Sequence, residues 1–151
     1  MEFCDGNVLL ESFPEDTVRV LAYQMLCALA HMHEKHICHL DIKPSNFMLK
    51  SNKPNSYLKL IDFEFAVDII KANNVVARGT QGYVAPELLE GMCGLSCDIW
   101  SLGITIYYLI CGEEPFKGKD HIEVSIHAMT KKPDFESGVY DVELKNVVGA
   151  Q

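Results

Sequence analysis

The 151-residue sequence has no apolar run long enough to cross a bilayer. Its longest apolar stretch, 99–110, is broken by Ser101, Gly103 and Thr105, whereas a span takes roughly 20 residues. A buried helix is the expectation there. Positive charge is scarce as well. Thirteen basic residues face 21 acidic ones, for a formal charge of -8, so neither nucleic acid nor an anionic membrane is expected as a partner. Internal repeats and low-complexity tracts are lacking, and with them the signature of solenoids and disordered tails. Nothing near Met1 reads as a secretory signal, since the first charges are acidic and no long apolar segment follows. Arginine is limited to Arg19 and Arg78.

Nearly half of the residues are apolar and under a quarter are charged, the balance of one globular domain with a real core. Six cysteines are scattered, several of them inside apolar stretches. They read as buried free thiols in a reducing compartment, and the protein is expected to be intracellular and cytoplasmic. Cys93 and Cys97 are expected to be packed thiols. The cluster His31, His33, His36, Cys38 and His39 reads as structural rather than as a zinc site.

Residues 1–12 are read as a short extended piece, a turn at Asp5-Gly6 and a brief helix. Pro14-Glu15-Asp16 has the chemistry of a helix start. Val18, Leu21, Ala22, Met25, Leu26, Leu29 and Met32 then recur on one face of an amphipathic helix ending near residue 34 or 35. Residues 36–46 are a loop, because polar residues crowd together and Pro44 blocks a regular helix. Two short strands are expected at 47–49 and 57–61, joined by a turn at 51–56. Residues 62–87 hold Gly79, Gly82 and Pro86 and are expected to be a long ordered loop. Helices are predicted over 95–111, buried all round, over 120–130, and again from about Tyr140. The pattern is mainly α, with one small β-hairpin.

The chemistry lies in His39-Leu40-Asp41-Ile42-Lys43-Pro44-Ser45-Asn46. Residues two apart on an extended loop face the same side. Asp41 can therefore accept a hydroxyl proton where Lys43 neutralises a transferred phosphoryl group. Asn46 offers an amide oxygen, a hard ligand suited to magnesium, and Asp62 a carboxylate for the same purpose. A base, a cation and two oxygen ligands on adjoining segments suit phosphoryl transfer, where positioning and charge stabilisation dominate.

In these residues the chain resembles the eukaryotic protein kinase family. His39-Leu40-Asp41 with Asn46, then Asp62-Phe63-Glu64, then Ala85-Pro86-Glu87 follow the order and spacing of that family's motifs. Gly79-Thr80-Gln81-Gly82-Tyr83 resembles its substrate-facing loop, and Asp98-Ile99-Trp100-Ser101-Leu102-Gly103 its central helix. The resemblance covers essentially the whole chain. It implies a partial kinase domain over 1–151: the hinge and the C-terminal lobe, a helical bundle around a buried central helix with a small hairpin bearing the catalytic and metal loops. The N-terminal lobe, expected in a full-length parent, and the far C-terminal end would be missing.

By position, the resemblance makes Asp41 the catalytic base and pairs Lys43 with Thr80 as in serine/threonine kinases. It gives magnesium to Asn46 and Asp62, adenine contacts to the backbone of Glu2 and Cys4, the floor under that ring to Met48, and a brace beneath the catalytic loop to Asp98. ATP, Mg2+ and a protein substrate are the implied ligands. The stretch from Ser96 to Phe116 is similar to calcium- or calmodulin-dependent kinases, although no EF-hand loop is present.

Four departures matter. No Gly-rich loop or strand lysine for the phosphates is present, so the 151 residues alone are expected to be inactive. Leu40 replaces an arginine that holds a phosphorylated loop, and no Ser, Thr or Tyr lies between Phe65 and Gly79; activation by phosphorylation there is not expected. Glu64 replaces a glycine, adding a carboxylate that at about 8 Å repels phosphate by roughly 2 kcal/mol. Glu87 is expected to lack its arginine partner and to be destabilising as an unpaired buried carboxylate. The competing reading is a pseudokinase or non-catalytic scaffold.

Overall fold

A computed structural model describes residues 4, 6, 8–51, 56–72 and 75–133. The first helix, α1, runs over Glu15–His33. Its first turn carries Glu15 and Asp16 at the positive end of the dipole, and His31 and His33 lie in the last turn. Val18, Leu21, Met25, Leu29 and Met32 are buried along one face. The predicted stripe also included Leu26, which is exposed; it falls one position, about 100° of helix, beyond Met25.

The chain then forms β1 (Ile37–Cys38), a 3-10 turn at Pro44–Asn46, and the hairpin of β2 (Phe47–Leu49) with β3 (Leu58–Leu60), in the register Phe47↔Leu60. Proline opens the 3-10 turn, where a missing N–H costs nothing. A second antiparallel ladder, unforeseen in the sequence, pairs β1 with β4 (Val67–Asp68). Two-residue strands are too short to show alternation. Pairing across about thirty residues creates them. Residues 8–12 are not the brief helix expected: Val8 bridges Met48, and the Leu9 amide donates to the Phe47 carbonyl at 3.3 Å.

The long loop after β3 contains β4 and ends in a one-turn helix, α2 (Pro86–Leu89). The central helix α3 (Ser96–Cys111) and α4 (His121–Thr130) follow. Asp120 caps α4 by accepting the Glu123 amide at 2.9 Å. The helix expected from Tyr140 and most of the turn at 51–56 lie outside the described residues.

Leu102 and Leu109 of α3 meet Leu21, Met25 and Leu29 of α1 in the main core, with Leu9, Ile42 and Phe47 from the site-bearing segments. The polar residues of α3 are satisfied inside. Ser101 donates to the Tyr83 carbonyl at 2.7 Å, and Thr105 donates to the Ser101 carbonyl at 2.8 Å. Burial of α3 is not uniform, since Ile99 and Gly103 are exposed. Among the described residues, no helix is long and apolar enough to cross a membrane.

Candidate active site

β1 delivers the chain into residues 39–43, which have almost no regular hydrogen bonding of their own. Asp98 supplies it. This carboxylate, wholly buried in the first turn of α3, accepts the His39 amide on Oδ2 at 2.8 Å and the Leu40 amide on Oδ1 at 2.9 Å. Oδ2 also meets His33 Nε2 at 2.9 Å. Two amides held by one carboxylate permit Leu40 its φ of +67°, a conformation that costs a β-carbon about 1–2 kcal/mol.

His39 is fully buried and joins the two halves of the site. Its Nδ1 accepts the Asp41 amide at 3.3 Å, which makes Nε2 the donor to the Ile61 carbonyl at 3.2 Å. Burial holds the ring's pKa below its ordinary value. The Phe63 ring lies 5.0 Å away, tilted against it. The Ile61 amide in turn donates to the Asn46 carbonyl at 2.9 Å. Asp62, exposed and at a φ of +62°, is thereby set next to Asn46.

Four predicted residues converge on one point. Asp41 Oδ1 accepts the Thr80 hydroxyl at 2.6 Å, while Oδ2 meets Lys43 Nζ at 2.8 Å and accepts Asn46 Nδ2 at 2.9 Å. Lys43 also donates to Thr80 Oγ1 at 2.6 Å. Burial pushes the Asp41 carboxyl upward, but hydrogen bonds from Lys43, Thr80 and Asn46 and the lysine charge outweigh it. The group therefore stays below the usual carboxylate range. Asp41 is thus an ionised acceptor at neutral pH, although 3% exposed.

Gly79 makes the approach of Thr80 possible. At a φ of +122°, a Cβ there would fall 2.5 Å from the Leu40 carbonyl oxygen. Only glycine lets the loop pass this close.

The donor set fits magnesium. The amide nitrogen of Asn46 is committed to Asp41 through its carboxylate and its carbonyl, so Oδ1 is the atom left to face a cation. Asn46 Oδ1 and the exposed Asp62 carboxylate are the two hard oxygens that would hold magnesium, which takes such ligands together with waters and substrate phosphates. Among the described residues, no group of three or more His, Cys, Asp or Glu converges as a metal site.

Other predicted residues are placed less directly. Phe47 turns into the core, so the alternation of β2 puts Met48 on the opposite face, where it bridges Val8. Cys4 is half-buried, and Glu2 lies outside the described residues. Glu87 corrects one half of an expectation: it is half-buried and accepts the Ser96 hydroxyl at 3.1 Å, so it is not an unpaired buried carboxylate, although this partner is a neutral hydroxyl and not an arginine. All six cysteines are free, but only Cys38 and Cys97 are fully buried and Cys27 is exposed. Cys93 and Cys97 pack in one apolar cluster with Cys38. His33 was not singled out from sequence as a partner of Asp98. The two are 65 residues apart, and no local pattern links them.

The family model described as Protein kinase domain matches residues 1–146. Calcium-dependent protein kinase 6 of Plasmodium berghei (strain Anka) is 35% identical over 144 residues, covering 90% of this chain and 10% of the relative. Calcium-dependent protein kinase 5 of Plasmodium falciparum (isolate 3D7) is 37% identical over 131 residues, 82% of this chain and 23% of the relative. Calcium/calmodulin-dependent serine/threonine-protein kinase 1 of Oryza sativa subsp. japonica is 33% identical over 146 residues, 90% of this chain and 24% of the relative. The chain thus spans between 10% and 24% of the length of these relatives.

Proposed function

Because this chain belongs to the protein kinase family, we propose that it supplies the catalytic and metal-binding half of an ATP-dependent serine/threonine kinase. The observation that carries this reading is the closed network of Asp41, Lys43, Thr80 and Asn46 around one ionised carboxylate. Asp41 takes the proton of the substrate hydroxyl. Lys43, within reach of both Asp41 and Thr80, offsets charge on the phosphoryl oxygens as they approach, and Thr80 holds the lysine in place. Asn46 Oδ1 and Asp62 hold magnesium, which when bound neutralises the nucleotide phosphates. The backbone of Glu2 and Cys4 and the side chain of Met48 receive the adenine.

Leu40 supports a second element of the proposal: the loop over 65–79 needs no phosphate. Leu40 is buried in one apolar cluster with Phe65, Val67, Ile69, Val75 and Val84. The loop is therefore anchored by packing where an arginine would need a phosphate partner. Detection of a required phosphate between Asp62 and Glu87 would count against this. Glu64 is exposed, so its repulsion is screened well below the 2 kcal/mol estimated above. Glu64 and Leu40 are also the two observations that favour a non-catalytic scaffold.

The deciding experiment is made in a complete kinase domain containing these residues. Asp41→Ala is expected to lower phosphate transfer by about 10²–10⁴-fold and to leave magnesium-dependent ATP binding in place. Asp62→Asn is expected to weaken that binding. Nucleotide binding indifferent to both magnesium and Asp62 would favour the scaffold.

A further inference from the structure

Asp62 and Glu64 flank Phe63, whose ring is held 5.0 Å from that of the buried His39. The chain turns directly after it, with the Ala66 amide donating to the Phe63 carbonyl at 3.1 Å. Both carboxylates are exposed, and among the described residues neither has a hydrogen bond or an ion pair. Their α-carbons, two residues apart, are separated by at most about 7 Å, so both carboxylates can reach one ion between them.

A third oxygen comes from the interior. Asn46 is 4% exposed. Its Nδ2 is committed to Asp41 at 2.8 and 2.9 Å, and its Oδ1 accepts from no donor among the described residues. An oxygen on a buried side chain that lacks a partner is unfavourable, and a cation relieves it. The bond from the Ile61 amide to the Asn46 carbonyl, at 2.9 Å, sets Asp62 beside it. Lys43 is taken by Asp41 and Thr80. Asp62 and Glu64 therefore present two negative charges that Lys43 does not offset, and such a surface draws a cation before it draws a phosphate.

Magnesium sheds water reluctantly and is held by few protein oxygens together with phosphates. A larger hard cation gives up water more readily. Calcium takes about six to eight oxygens, whereas three protein oxygens completed by waters suit an octahedral ion such as manganese. We propose that Glu64 is a third metal ligand, which lets Asn46 and Asp62 take manganese in preference to magnesium and before nucleotide arrives. This rests on the metal-binding role proposed above for Asn46 and Asp62.

The test titrates manganese chloride into the nucleotide-free 151-residue chain and reads the free ion by electron paramagnetic resonance. One ion is expected to bind per chain, and an equal concentration of magnesium is expected not to displace it. Binding is expected to weaken about tenfold in Glu64→Gln, in Glu64→Gly and in Asp62→Asn. It is expected to be unchanged in Glu34→Gln, which removes an exposed carboxylate at the end of α1. Binding that needs nucleotide, that survives both Glu64 variants, or that magnesium displaces at equal concentration overturns the proposal. Magnesium-dependent ATP binding in a complete kinase domain, and its loss in Asp62→Asn, are read separately. Their failure would sink the phosphoryl-transfer reading, whereas manganese binding indifferent to Glu64 sinks the third ligand alone.

Discussion

Asp98 has two oxygens and three partners; His33 is partly exposed, but the wholly buried carboxylate and the amides of the buried His39 and Leu40 cannot turn to water. Replacing it with alanine strands the amides of His39 and Leu40, each at about 1–3 kcal/mol. Asp98→Ala is therefore expected to lose about 3 kcal/mol or more in urea unfolding. Asp98→Asn, which keeps one acceptor oxygen, is expected to lose less. Asp41 makes a prediction about pH. Its folded pKa lies below its unfolded value, so its contribution to stability is present above the unfolded value of about 3.9. That contribution is lost as pH falls through the depressed folded value. Asp41→Asn is expected to flatten the acid limb of stability against pH, read by unfolding at a series of pH values. The residues of this network were nameable from the motif. The bonds among them were not, since Thr80 and Asp41 are 39 residues apart.

At the scale of elements, the long helices and the β2–β3 hairpin were legible and the β1–β4 ladder was not. The 3.6-residue period placed α1, and the all-round apolar stretch placed α3, within one or two residues of their observed ends, because helical hydrogen bonds are local. The β1–β4 ladder left no such trace. The end of α3 depends on Gly112, at a φ of +74°, whose amide donates to the Tyr108 carbonyl at 2.8 Å. A Cβ there would meet only Ser12, at 3.7 Å, so the obstacle to a side chain is backbone strain rather than space. Gly112→Ala is expected to cost about 1 kcal/mol, measured as a fall in the urea midpoint at unchanged slope.

Taken whole, the molecule relies on packing and not on covalent staples. All six thiols are free, and reductant is expected to leave the thermal midpoint unchanged; a shift on reduction would reveal a disulfide. Under the proposed function, the network around Asp41 is one side of a phosphoryl-transfer site. The 151-residue polypeptide by itself is therefore expected to transfer no phosphate to a peptide in a radiolabel assay, whereas the same residues within a complete kinase domain do.

What could be read from the order of residues alone was whatever repeats or adjoins within a few positions: helix spans, the buried stripe of α1, turn chemistry, and catalytic motifs in register. Those follow from local geometry and from side-chain chemistry that needs no neighbour. Folding in three dimensions alone decided that His33 joins the two amides on Asp98, that Glu87 has Ser96, and that Glu114 fills the space beside Gly82. Such contacts join segments 9 to 65 residues apart, and their geometry depends on how the core packs, which no local pattern encodes.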